Sequence, residues 1–157
     1  MSISAGSAEW IRPKAWKLDW ELRRESEVVA RMSSPSFFGT TVRATMGSEN
    51  FVLRKGGLQR PGAAISAIGA SADLARLEYD ALDRGTVVLA DGTTYLWTRV
   101  EPAGTWAMLR PDGAVLFTVF RDLRNKYPTG KVEVKTEDRN GGMLLLLVWF
   151  MINTTDC

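Results

Sequence analysis

The chain contains no histidine, and its single cysteine is Cys157. The first absence removes the commonest general base and the commonest metal ligand. The second excludes an intramolecular disulfide and fits a reducing compartment. Together they leave no means of building a Ser-His-Asp or Cys-His arrangement. GxSxG, GxGxxG and P-loop motifs are lacking as well. Asp and Glu are scattered, so the reading is non-enzymatic, with no cofactor and no metal site. Long hydrophobic runs are scarce. The longest, Met143–Ile152, has ten residues, whereas a membrane-crossing helix needs about 20. The opening segment MSISAGSAEW has neither the basic nor the apolar region of a signal peptide. Charge of one sign is not in large excess: the formal net charge is +2. So weak a field disfavours a sequence-independent nucleic-acid binder. These absences lead to the expectation of a cytoplasmic protein, at most peripheral to a membrane.

What is present is a strong alternation. Trp16, Leu18, Trp20 and Leu22 alternate with Lys17, Asp19, Glu21 and Arg23. A strand places such alternate residues on opposite faces, so this one has a dry side and a wet side. Val132, Val134 and Thr136 alternate with Lys131, Glu133, Lys135 and Glu137 in the same way. One wet face per strand points to antiparallel pairing. Turn signals punctuate the strands. Asp91-Gly92 predicts a type I′ hairpin, and Pro111-Asp112-Gly113 predicts another tight turn. Gly47-Ser48-Glu49-Asn50 and Glu25-Ser26 divide two further hairpins. Ala64–Ala70 reads as a strand weakened by Gly69, whereas over Ser71–Leu82 the pattern fits both a helical stripe (Leu74, Leu77, Ala81) and a strand (Ala75, Leu77, Tyr79), and the flanking hairpins favour the strand. Eleven or twelve short strands over 157 residues suggest one domain, a sandwich or a barrel. Barrel closure also removes unpaired strand edges.

The run Met143–Ile152 breaks this pattern. It follows Asn140-Gly141-Gly142 and has no polar side. A helix that is apolar all round must be buried all round, and four consecutive Leu with two Met favour a helix. The reading is a helix at about 142–153 on the axis of the barrel, with strands over about 15–139. A central sheet strand and a membrane-inserting tail are the alternatives.

With these elements in hand, the pattern resembles the tubby-like superfamily: the tubby domain, the phospholipid scramblases and the LURP-one-related proteins. The resemblance lies in the hairpin series from Trp16 to Glu137, in Leu89-Ala90-Asp91-Gly92, in the stretch from Arg110 to Phe117, and in GGMLLLLVWFMI. It implies an all-β, mainly antiparallel, roughly twelve-stranded closed barrel around a central hydrophobic C-terminal helix. It further implies a loose association with lipid, phosphoinositide included. This chain is shorter than most members. No motif carries over the basic pair of the tubby phosphoinositide site or the acidic calcium segment attributed to scramblases.

The sharpest candidate site is Arg54-Lys55-Gly56-Gly57-Leu58-Gln59-Arg60, with three cations and no acid. Backbone N–H groups of a glycine-rich turn can cradle an anion while Arg54, Lys55 and Arg60 supply charge. The ordinary alternative is a solvated basic loop. Arg121, Arg124 and Lys126 form a second basic stretch, diluted by Asp122. Arg12, Lys14 and Lys17 form a third, interleaved with Trp10 and Trp16. Basic and aromatic side chains together suit a membrane interface. The expected function is therefore non-enzymatic binding at the barrel surface, with an anionic phospholipid headgroup or a protein partner as target. A structural or protein-interaction domain without a lipid role is the alternative, and a lipocalin-like barrel for a small apolar ligand is the second.

Overall fold

Period-two alternation becomes sheet because each strand buries one row of side chains and hydrates the other. The structure, a computed structural model, describes residues 2–13, 19–33, 41–56, 62–81, 84–122, 124 and 129–154. Along them run β1 (Gly6–Ile11), β2 (Asp19–Arg24), β3 (Glu27–Ser33), β4 (Thr41–Met46), β5 (Glu49–Lys55) and β6 (Gly62–Ala67). There follow β7 (Ala75–Ala81), β8 (Arg84–Leu89), β9 (Thr94–Val100), β10 (Thr105–Leu109), β11 (Val115–Asp122), β12 (Thr129–Val134) and α1 (Gly141–Thr154). Every strand pairs antiparallel with its sequence neighbours, and β1 also pairs with β12, Trp10 opposite Gly130, so the sheet closes. The ambiguous stretch is strand β7, and it turns Ala75, Leu77 and Tyr79 inward. Trp16 and Leu18 of the first alternating run lie outside the described residues.

One strand was not anticipated. β1 precedes Trp16 and shows only a short alternation, Ala8 and Trp10 against Ser7 and Glu9. Its pairing with both β2 and β12 is what closes the barrel. The hairpin at Asp91-Gly92 is present, but its turn is of another kind. A type I′ turn requires positive φ at both central residues. Here only Gly92 has it, at 89°, while Leu89 and Gly92 close a four-residue turn and Leu89 N–H donates to Thr93 C=O. Gly113 repeats the geometry at 89° between Arg110 and Ala114. Both are three-residue loops with glycine in the left-handed position, and in each the Asp side chain accepts from the backbone two residues on.

The C-terminal run is a helix of 14 residues, and it occupies the lumen. Met143 to Ile152 are each no more than 6% exposed. Trp149 stacks on Trp10 of β1, centroids 5.5 Å apart, and its ring leaves no room for a side chain on β12: a Cβ at Gly130 would lie 2.3 Å from it. The helix also packs against β5 and β6, across the barrel from β1 and β12. Asn140 C=O accepts the first helical bond, from Leu144. The volume that a lipocalin-like barrel would leave for a ligand is thus filled by α1. No helix of the described residues is long and apolar enough to cross a membrane.

Candidate functional site

Arg54 and Lys55 are neighbours in sequence but face opposite ways. Leu53 is buried in the core, so Lys55 shares its inward register and Arg54 faces the outer wall. There Arg54 ion-pairs with Asp73 of the β6–β7 connection, and Arg76 Nε donates to the other oxygen of Asp73 at 2.9 Å. The two arginines share one carboxylate along a depression of about 260 Å³. Arg54 is therefore already engaged. Arg60, with Gly57, Leu58 and Gln59, lies outside the described residues, as do Lys14, Lys17, Lys126 and Cys157.

The topology gathers what the sequence keeps apart. In an up-and-down barrel, alternate connections lie at the same end. The connections after β1, β3, β5, β7, β9 and β11 share one end, which we term the basic mouth; those after β2, β4, β6, β8, β10 and β12 share the other. The described cations of the three basic stretches, Arg12, Arg54, Lys55, Arg121 and Arg124, stand at or just beyond the ends of β1, β5 and β11, hence toward one mouth. At this end four cations, Arg12, Lys55, Arg99 and Arg121, follow the inward register or touch inward groups. Arg12 lies over the Trp20 ring at 5.8 Å, and Arg99 over Trp106 at 5.2 Å, each a cation–π pair. Arg121 Nη1 donates to Ile152 C=O in the last turn of α1. Arg124 is bound by Asp122, Nε and Nη2 to the two carboxylate oxygens at 3.0 and 2.8 Å. These bonds hold the Asp122 carboxyl down at about 2.

The opposite mouth is acidic. Glu25, Glu27, Glu49, Asp91, Asp112, Glu137 and Asp138 sit in its turns or at the strand ends beside them and outnumber Arg24, Arg110, Lys135 and Arg139, of which Arg110 and Arg139 pair with Asp112 and Asp91. Asp138 closes it over the N-terminus of α1: it accepts from Tyr95 O–H at 3.2 Å and from Asn140 N–H at 2.8 Å. Burial pushes the Tyr95 hydroxyl up from its ordinary value. The charge arrangement has a structural cause in the helix. α1 carries no acid in its first turn and no base in its last, yet its aligned peptides place roughly half a positive charge at the start and half a negative one at the end. The barrel rims supply the complement, acid at the N-terminal end and cations at the C-terminal end.

One feature of the basic mouth is not explained by the helix. The indole Nε1 atoms of Trp10, Trp20 and Trp149 are buried and have no hydrogen-bond partner among the described residues. A buried donor left unmade costs about 1–3 kcal/mol. Among the described residues no group of His, Cys, Asp or Glu is placed to hold a metal ion. No protein-family model matches the chain, and no curated protein or solved structure is similar to it beyond chance.

Proposed function

We propose that the chain is a non-enzymatic binding module of tubby-like architecture whose basic mouth takes anionic phospholipid headgroups at a membrane surface. The observation that supports this most is the convergence at one end of basic stretches that begin at Arg12, Arg54 and Arg121. Two of the inward cations lie on indole rings, the pairing of charge with amphipathic aromatic that suits a headgroup layer. The acidic mouth is repelled by the same surface, so the molecule approaches with the C-terminal end of α1 leading. Arg54 drops out of the expected set because Asp73 holds it, and Arg99 enters.

Co-sedimentation with phosphatidylcholine vesicles, with and without a phosphatidylinositol phosphate, tests the reading. Binding is expected only to the anionic vesicles, and it weakens as salt rises. A basic residue near such a surface contributes about 1 kcal/mol, so Lys55→Ala with Arg99→Ala weakens binding roughly thirtyfold. Equal binding to neutral vesicles, or none to either, overturns it.

A second reading has its own observation. The outer wall of β8–β10 carries Thr86, Val88, Leu96, Thr98 and Leu109 in contiguous register, with Arg84 opposite Thr98 at one edge. Val88 and Leu96 are both 38% exposed. Such a wall suits a protein partner, and retention of vesicle binding after Leu96→Glu separates the two surfaces.

A further inference from the structure

The three indole donors without partners are neighbours. Trp10 stacks on Trp149, Trp10 is opposite Leu22 on β2, and Trp20, two residues from Leu22, faces the same way under Arg12. They form a path from the half-buried rim at Trp20 to the fully buried ring of Trp149. Arg121 is opposite Gly130, the residue against which Trp149 packs. Trp10, Trp20 and Trp149, each with a buried N–H donor, thus lie with Arg12 and Arg121 along one seam of the barrel wall. Buried donors are almost always satisfied, and an acceptor for the three indole N–H groups is not supplied among the described residues; beside two guanidinium groups, an acceptor-only anion suits them. We propose that this seam of the basic mouth is an oxyanion site, in which a phosphate-type group accepts from the indole N–H groups of Trp10, Trp20 and Trp149, with Arg12 and Arg121 supplying the charge. The inference rests on the reading that this mouth receives an anionic headgroup, and it names the groups that would recognise one. Arg12 and Arg121 keep their own contacts; their role is to make the neighbourhood positive. The phosphate can arrive on a lipid or as the free ion.

Heteronuclear NMR of the indole N–H groups of the full chain distinguishes these cases, with assignment by Trp10→Phe, Trp20→Phe and Trp149→Phe. On titration with inorganic phosphate, the resonances of Trp10, Trp20 and Trp149 are expected to move with one common midpoint while those of Trp97 and Trp106 stay. Trp20→Phe keeps an aromatic ring at the rim and removes one donor; it is expected to raise the midpoint about tenfold. The same resonances are then followed with phosphatidylcholine vesicles containing a phosphatidylinositol phosphate. Movement with vesicles and not with phosphate assigns the site to a lipid. Movement with phosphate in a protein that ignores vesicles keeps the site and overturns the membrane reading. Vesicle binding with all indole resonances unmoved overturns the site and leaves the membrane reading standing. A cross-peak from these N–H groups to long-lived water, unchanged by either probe, also overturns it, as does an unchanged midpoint in Trp20→Phe.

Discussion

The two mouths of the barrel are built from the same strands and differ in almost everything else. At the acidic mouth the connections are short, with Gly92 and Gly113 at the left-handed positions of two matching turns, and Asp138 and Asn140 tie the start of α1 to Tyr95. At the basic mouth cations gather around the end of the helix, and buried indole donors stand without partners. One end spends its polar groups on its own backbone. The other holds buried indole donors that meet no acceptor among the described residues. That contrast is the ground on which the proposed binding is assigned to the second end.

The comparison can be broken most completely by removing what joins the two ends. Deletion of residues 143–157 empties the lumen. At about 24 cal/mol per Å³ of cavity, the loss exceeds a typical stability of about 5–15 kcal/mol, and calorimetry is expected to show no cooperative melting. A truncated chain that melts cooperatively as a monomer would refute the central role of α1. Next in size is a steric test of the basic mouth. Gly130→Val drives a side chain into Trp149; overpacking of this kind costs about 3 kcal/mol, read as a lowered denaturation midpoint. The acidic mouth answers to Asp138→Ala, which strips the acceptor from Tyr95 O–H and Asn140 N–H. A loss of about 1–2 kcal/mol is expected in urea unfolding, with vesicle binding unchanged if the proposed headgroup site is at the other end.

The smallest effect is confined to acid. Arg124 holds Asp122 at about 2, below the ordinary value of about 3.9. A carboxyl depressed in the folded state contributes stability that is fully present above about pH 4 and is lost as pH falls toward 2. Asp122→Asn is expected to flatten that part of the stability-versus-pH curve and to leave neutral pH almost untouched. An unchanged acid limb would show that the Asp122–Arg124 pair does not contribute to it.

Much of this architecture was legible before the structure, for physical reasons. Alternation at Trp20 and Leu22, or at Val132 and Val134, reports a half-buried strand directly, and an apolar run with no polar side has only one place to go in a barrel. β1 was hidden because Gly6 to Ile11 contains only two well-buried residues to mark its inner face. The turn after Leu89 was placed but mistyped, since Asp-Gly serves two hairpin geometries and only φ at Asp91 separates them. The site was the least legible part. Lys55 and Arg54 look equivalent in sequence, and it takes the strand register, with the ion pair of Arg54 to Asp73 on the outer wall, to tell them apart. Trp10 shows in sequence only as part of a basic and aromatic stretch, and Arg99, Trp20 and Trp149 carry no local signal as site residues, because their meeting depends on strand order and on the closing pair β1–β12.

The position of α1 along the chain bears on how the molecule comes to exist. During synthesis every strand leaves the ribosome before the segment that will fill them. The sheet therefore waits as a set of hairpins with their apolar rows unburied, and the closing pair, Gly6 opposite Val134, joins residues made almost at opposite times. Contacts so distant in sequence form slowly, and exposed apolar rows on unfinished sheets invite association with other chains. Assembly of this barrel is thus a late event that hinges on delivery of its core, and the interval before that delivery is when a nascent chain would depend most on being shielded.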